Sequence, residues 1–176
     1  MLEGYKDEAS FYCTTRKERK KWLDGLKRIS ILSDVRVVYN FDKKLGEGSF
    51  GKVYLGIKKK DKKEVAIKII EKARICQKYR DIKCLVKEIE LLRLLNHPGI
   101  VKLYEVYEGE KHIYLIMEYI KGGNLLSHLK EIKTYTEKDA AFLITQALEV
   151  LDYCSSKNII HRDLKPENLM VEYKFK

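Results

Sequence analysis

No apolar run in these 176 residues is long enough to cross a bilayer, and the opening residues MLEGYKDEAS do not resemble a secretory signal. Neither a transmembrane anchor nor an export signal is expected. The four cysteines, Cys13, Cys76, Cys84 and Cys154, have no CxxC or histidine-paired spacing. That argues against a disulfide framework and a structural zinc site, and fits a reducing, cytoplasmic setting. Internal repeats and low-complexity tracts are also lacking, so neither a solenoid nor a biased, disordered chain is expected.

What remains is the composition of an ordinary globular domain, 45% apolar and 35% charged. The net charge of +10 would suit a phosphate-rich partner if the lysines and arginines were clustered. They are instead spread over Arg16–Lys21, Lys58–Lys63 and Lys68–Arg80, and are read as solvated faces plus a basic linker. No nucleic-acid partner is expected. A weak contact of the basic N-terminal segment with anionic membranes is.

Residues 10–14 (SFYCT) read as a short strand and Thr15 to about Ser30 as a helix with Trp22, Leu23, Leu26 and Ile29 on one face. From Val37 the pattern alternates and is punctuated by glycine, which predicts strands at Val38–Gly46, Lys52–Ile57 and Glu64–Ile70. A helix is expected over Arg80–Leu95, stopped by Asn96-His97-Pro98-Gly99. Strands Val101–Tyr107 and His112–Met117 follow, then a short helix near Asn124–Lys130 and a long one over Thr136–Ser156. Its opening Thr136-Glu137-Lys138-Asp139 has the character of a capping box. Five strands with one inserted helix, then mostly helix, predict an α+β fold in which a small sheet lobe is joined to a helical lobe.

Three places carry chemistry. Gly46-Glu47-Gly48-Ser49-Phe50-Gly51 precedes the strand-like KVYLGIK, so its glycines would bring backbone N–H groups close to phosphates in a strand–turn–strand. Taken alone it is as readily an ordinary glycine-rich hairpin. Lys68 ends the apolar run Val65-Ala66-Ile67 and needs an anion, because a bare buried ammonium is costly. Glu88, on the edge of the stripe Leu85, Ile89, Leu92 and Leu95, offers a carboxylate. In His161-Arg162-Asp163-Leu164-Lys165-Pro166-Glu167-Asn168, six residues hold an acceptor, a cation and a metal-competent amide. Out of context that is a polar loop following a helix.

In this order and at these spacings the motifs, with Met117-Glu118-Tyr119 after a strand, resemble the protein kinase family over roughly Val38–Lys176. The resemblance implies that fold: a five-stranded antiparallel sheet with one helix, then the start of a helical lobe. It implies Mg²⁺ and ATP as cofactors and a protein as substrate. Gly46, Gly48 and Gly51 would cover the phosphates and, with Leu45, roof the nucleotide. Lys68 would hold the α- and β-phosphates, oriented by Glu88. Val53, Ala66 and Met170 would sandwich the adenine, with Met117 at the gate behind it and Glu118–Ile120 as hinge backbone. Asp163 would accept or orient the hydroxyl proton, Lys165 would neutralise the moving phosphoryl group and Asn168 would bind one Mg²⁺.

Lys165-Pro166-Glu167-Asn168 is similar to the serine/threonine form of this loop, and LNHPGIVKLYEV with GGNLLSHL is similar to the calcium/calmodulin-dependent group. Asn124 stands where many relatives have an acidic residue for the ribose. Arg162 before Asp163 is the arrangement associated with activation-loop phosphorylation. No Asp-Phe-Gly or Ala-Pro-Glu occurs in the chain. The expectation is therefore a truncated kinase domain, poorly folded beyond about Gly122 and inactive by itself; a nucleotide-binding or regulatory chain is the alternative. Residues 9–31 resemble the last strand and helix of a pleckstrin-homology domain, as in a protein-kinase-D-like layout, or else form a basic amphipathic linker. The expected division is 1–36 for that segment and 37–176 for the kinase domain.

Overall fold

Alternation of apolar and polar residues from Tyr39 onward builds one curled sheet with a different core on each face. The computed structural model describes residues 15–21, 31–32, 34–48, 51–78, 82–131 and 135–172. The elements are β1 (Ile31–Leu32), α1 (Val35–Val38), β2 (Tyr39–Gly48), β3 (Gly51–Lys58), β4 (Glu64–Glu71), α2 (Lys72–Lys78), α3 (Ile82–Leu94), β5 (Leu103–Glu108), β6 (His112–Met117), α4 (Leu125–Glu131) and α5 (Glu137–Ser156). A 3₁₀ turn follows over Pro166–Asn168.

The strands lie in the order β1-β5-β6-β4-β3-β2. The five expected strands are present and antiparallel to their neighbours. A sixth, unexpected one is the two-residue β1, which runs parallel to β5 at Val106 and Tyr107. Two apolar residues carry no period, so β1 had no readable pattern. The helix expected over Arg80–Leu95 occupies Ile82–Leu94, and α2, also unforeseen, follows β4 directly. Residues 16–21 are helical, as expected, and Thr15 caps them by accepting the Glu18 amide at 3.1 Å. The strand expected at residues 10–14 and the apolar stripe from Trp22 lie outside the described residues.

Because side chains alternate along a strand, each sheet face gathers every second residue. On one face Ile70, Leu103, Val106, Ile113 and Leu115 meet Ile75 of α2 and Leu85 and Ile89 of α3. On the other, Val65, Ile67, Ile116, Tyr39 and Tyr107 enclose Val35 of α1. The helical part begins with α4 and α5. Thr136 and Asp139 form the expected capping box at the start of α5. Near its end, the Tyr153 hydroxyl accepts the Asn96 amide at 3.0 Å, and the Tyr153 ring lies 5.0 Å from that of His97.

Ile67 has no exposed surface and Leu94 is 74% exposed. Ile67→Ala is expected to lower the unfolding free energy by about 3 kcal/mol, and Leu94→Ala to change it by less than about 0.5 kcal/mol. Urea denaturation of the two variants measures this contrast, and equal losses would contradict the placement of the core.

Candidate active site

The first half of the site follows from strand register. Val53 of β3 is the partner of Lys68, which is in turn the partner of Leu115; Ala66 pairs with Leu55 and with Met117. Cross-strand partners share a face, so Val53, Ala66, Lys68 and Met117 all lie on the face covered by α3. In α3, Glu88 is half-buried between the buried Leu85 and Ile89. Lys68 and Glu88 therefore lie on the two elements that meet at this interface.

The glycine segment joins β2 to β3, with Gly46 opposite Val53 and Gly48 opposite Gly51. Gly51 is required by its surroundings. Its φ is +133°, and a Cβ there would lie 1.9 Å from the Ile69 carbonyl oxygen. At Gly46 the corresponding space is open, with no heavy atom within 4 Å. Leu45 is the extra residue of a bulge, since Lys44 pairs with Tyr54 and Gly46 with the adjacent Val53. It is exposed, on the edge strand next to the glycine segment. Residues 49 and 50, at the turn itself, lie outside the described residues.

The hinge begins at the end of β6. The Glu118 amide donates to the Lys102 carbonyl at 2.8 Å, and the Glu118 carboxylate accepts the Lys102 amide at 3.2 Å. Glu118 and Ile120 are thus held beside Met117. Two residues further on, the chain meets the end of the catalytic loop. Asn124 and Met170 form an antiparallel bridge, flanked by Val171 N–H to the Gly123 carbonyl at 2.8 Å and Leu125 N–H to the Leu169 carbonyl at 2.7 Å. A Cβ on Gly122 would lie 1.9 Å from the Val171 carbonyl oxygen, so only glycine permits this approach. The Asn124 side chain caps α4 by accepting the Ser127 amide at 2.8 Å. Met170, 45% exposed, is left facing outward beside the hinge.

The loop itself brings the three expected groups together. Asn168 Nδ2 donates to the Asp163 carbonyl at 2.7 Å and to its Oδ2 at 2.9 Å, while Lys165 Nζ lies 2.9 Å from Oδ1. The Lys165 ammonium, and then the Asn168 amide, hold the Asp163 carboxyl below the usual carboxylate range; Asp163 in turn raises Lys165. Arg162 has a φ of +66°, an uncommon left-handed conformation for a non-glycine residue, so the turn into Asp163 stores some strain. Such a constellation can offer the Asn168 amide oxygen to a divalent cation, orient a hydroxyl on Asp163 and place the Lys165 cation beside a phosphate.

The expected site residues thus lie on the sheet, on α3 (Glu88), in the hinge and in the loop, with the hinge joining sheet and loop. Sequence reading missed the backbone bridge at Asn124–Met170 and the Lys102–Glu118 pair. Neither has a residue-type signature.

The Asp163 titration is checkable by carboxyl NMR. Removing a partner that favours the charged form raises a pKa. Lys165→Met is expected to move the midpoint up, and Asn168→Ala to move it up by less. An unchanged midpoint in Lys165→Met would show that the ion pair does not govern the site.

The protein kinase domain family model matches residues 39–176, and the chain belongs to that family. It is 43% identical over 158 residues to calcium/calmodulin-dependent protein kinase type 1 of Macrobrachium nipponense, covering 89% of this chain and 44% of that protein. It is 39% identical over 143 residues to myosin light chain kinase A of Dictyostelium discoideum, covering 81% and 48%. With calcium-dependent protein kinase 5 of Plasmodium berghei it shares 44% identity over 138 residues, 78% of the chain and 24% of the relative. The chain therefore spans about half the length of these relatives, or less.

Proposed function

We propose that this member of the protein kinase family supplies the nucleotide-binding lobe and catalytic loop of an ATP-dependent serine/threonine kinase acting on protein hydroxyls. The observation that carries the reading is the shared face of Val53, Ala66, Lys68 and Met117, tied through the hinge to the Asp163–Lys165–Asn168 cluster. Mg-ATP, when bound, brings the phosphoryl group and the metal charge. The residues present fit it: Gly46 leaves open space for a close approach, and Asn168, whose Nδ2 is turned to Asp163, keeps its amide oxygen as a donor atom for Mg²⁺.

In this reading Gly46, Gly48 and Gly51 offer backbone amides to phosphates under the rim formed by Leu45. Lys68 holds the α- and β-phosphates and Glu88 orients it. Val53, Ala66 and Met170 enclose the adenine, Met117 closes the back, and the Glu118 and Ile120 backbone meets the base edge. Asn168 holds one Mg²⁺. Asp163, kept ionised by its neighbours, is a weak base; its work is to orient the hydroxyl. Lys165 neutralises charge on the moving phosphoryl group.

Finer points are part of the same proposal. Similarity to the calcium- and calmodulin-dependent kinases named above supports a place near that group, with a cytoplasmic setting. A protein-kinase-D-like layout, the division at residues 36 and 37 and a weak membrane contact rest on residues 1–36 alone. The 176 residues carry Asn168 but no Asp-Phe-Gly for a second metal-binding carboxylate. We propose that they bind nucleotide and by themselves transfer little or no phosphate.

The test is a titration with a fluorescent adenine nucleotide in Mg²⁺, with transfer from labelled ATP to a generic basic protein measured in parallel. The wild-type chain is expected to bind. Lys68→Ala should weaken binding about tenfold or more, through loss of a charge-assisted phosphate contact. Asp163→Asn should leave binding nearly unchanged. Absence of binding would overturn the reading, and salt-sensitive adhesion to anionic vesicles or nucleic acid in its place would favour a basic binding module. Robust transfer by the 176-residue chain would overturn the proposal that it is inactive alone.

A further inference from the structure

The reverse face of the sheet holds a polar cluster that the proposed reaction does not use. Glu105 of β5 is 9% exposed. Its Oε2 accepts hydrogen bonds from the Tyr39 hydroxyl at 3.0 Å and the Tyr107 hydroxyl at 2.8 Å, and its Oε1 lies 3.7 Å from Lys58 Nζ. The two tyrosine rings meet edge to face at 6.2 Å, with the Lys58 ammonium 5.8 Å from the centre of the Tyr39 ring. A buried carboxylate is tolerable only when it is both hydrogen-bonded and charge-paired, and each oxygen here has its partner. Burial first, and the Glu105 carboxylate after it, push both tyrosines well above the usual phenol range, so their hydroxyls remain donors.

Topology gives this cluster reach. Tyr39 begins β2 and Lys58 ends β3, and the two are direct partners. Between β2 and β5 in the sheet lie β3, β4 and β6. A hydrogen bond from Tyr39 to Glu105 is possible only because the sheet curls until its second strand arches over its fifth. The other end of the β2–β3 ribbon carries Gly48 and Gly51. Along eight residues of β3 the ribbon is a lever of roughly 26 Å, so a tilt of about 5° at its base moves the glycine end by about 2 Å.

We propose that Tyr39, Tyr107 and Lys58, gathered on Glu105, are positioning residues: a clamp that sets the curl of the sheet and so the height of the glycine segment over Lys68. The inference rests on the nucleotide-binding reading above. Residues just before the family match, which starts at residue 39, pack beside the cluster without entering it. β1 pairs with β5 beside Tyr107, and Val35 is buried against the same core.

Tyr39→Phe, alone and with Tyr107→Phe, removes the hydroxyls and keeps the rings. Val35→Ala is the control, because it loosens the same core and leaves the clamp intact. The 176-residue chain is titrated with the fluorescent adenine nucleotide in Mg²⁺ well below each variant's Tm, and amide hydrogen exchange is followed without nucleotide. The hydroxyl variants are expected to bind about three- to tenfold more weakly, the scale of one or two lost hydrogen bonds. Faster exchange should be concentrated in β2 and β3. Val35→Ala should lose Tm without that loss of affinity. Unchanged exchange in the ribbon, or an equal loss of affinity in Val35→Ala, overturns the clamp. If exchange responds but the wild-type chain binds no nucleotide, the clamp stands as the device that sets the curl and the nucleotide reading falls.

Discussion

The site depends on one constraint, that β4 is hydrogen-bonded along both edges. Its partners β3 and β6 fix where Ala66 and Lys68 lie relative to Val53, Leu115 and Met117. A slip of one residue would exchange the two faces of the strand. Lys68 would then enter the apolar core around Val65, Ile67 and Ile116, and Ile67 would move to the face that α3 covers. An unpaired ammonium in such a core costs several kcal/mol, which makes the register a property of the whole lobe. The same alternation that builds two cores on opposite sides of one sheet also decides which side carries the chemistry.

The loop residues need a second constraint, since nothing in the sheet register reaches Asp163. Two contacts provide it. One is the backbone bridge at Asn124 and Met170, closed by the amides of Val171 and Leu125. The other is Tyr153, which meets the turn after α3 through the Asn96 amide and the His97 ring. Between them the start of the helical part is held to the hinge and to the end of α3. The rest of α5 is less supported: Ile144 and Leu148 are 60% and 58% exposed, although a helix apolar on most sides is built for burial.

The chemistry was legible in the sequence because it demands particular residue types. Glycines where backbone must approach a carbonyl or an anion, a lysine within an apolar strand, and an acid, amide and cation in six residues leave few substitutes. The strands were legible for the same reason that they form, through alternation. What stayed hidden depends on distance in space. Tyr39 and Glu105 are 66 residues apart, and only the curl of the sheet joins them. A glutamate within LYEVYE reads as one polar residue on a half-exposed strand, yet a bulge between Leu103 and Glu105 resets the alternation there. β1, at two residues, and α1, at four, are too short to show a period.

Net charge illustrates how far composition carries an argument. The lysine-rich stretch from Lys58 to Lys63 invites an anionic partner when read as sequence. In the fold, Lys58 faces Glu105, Lys59 donates to the Arg36 carbonyl at 2.6 Å, and Lys63 lies 4.3 Å from the centre of the Tyr104 ring. Further along the sheet Lys72 meets Glu108 and, beyond the hinge, Lys121 meets Glu64. The exposed Lys121–Glu64 pair adds little stability, but together these contacts direct lysine side chains at the protein's own acceptors and rings. Part of the +10 is thus committed within the lobe. On the opposite face Lys68 stands in register with Val53, itself the partner of Gly46, where the proposed reading places the nucleotide.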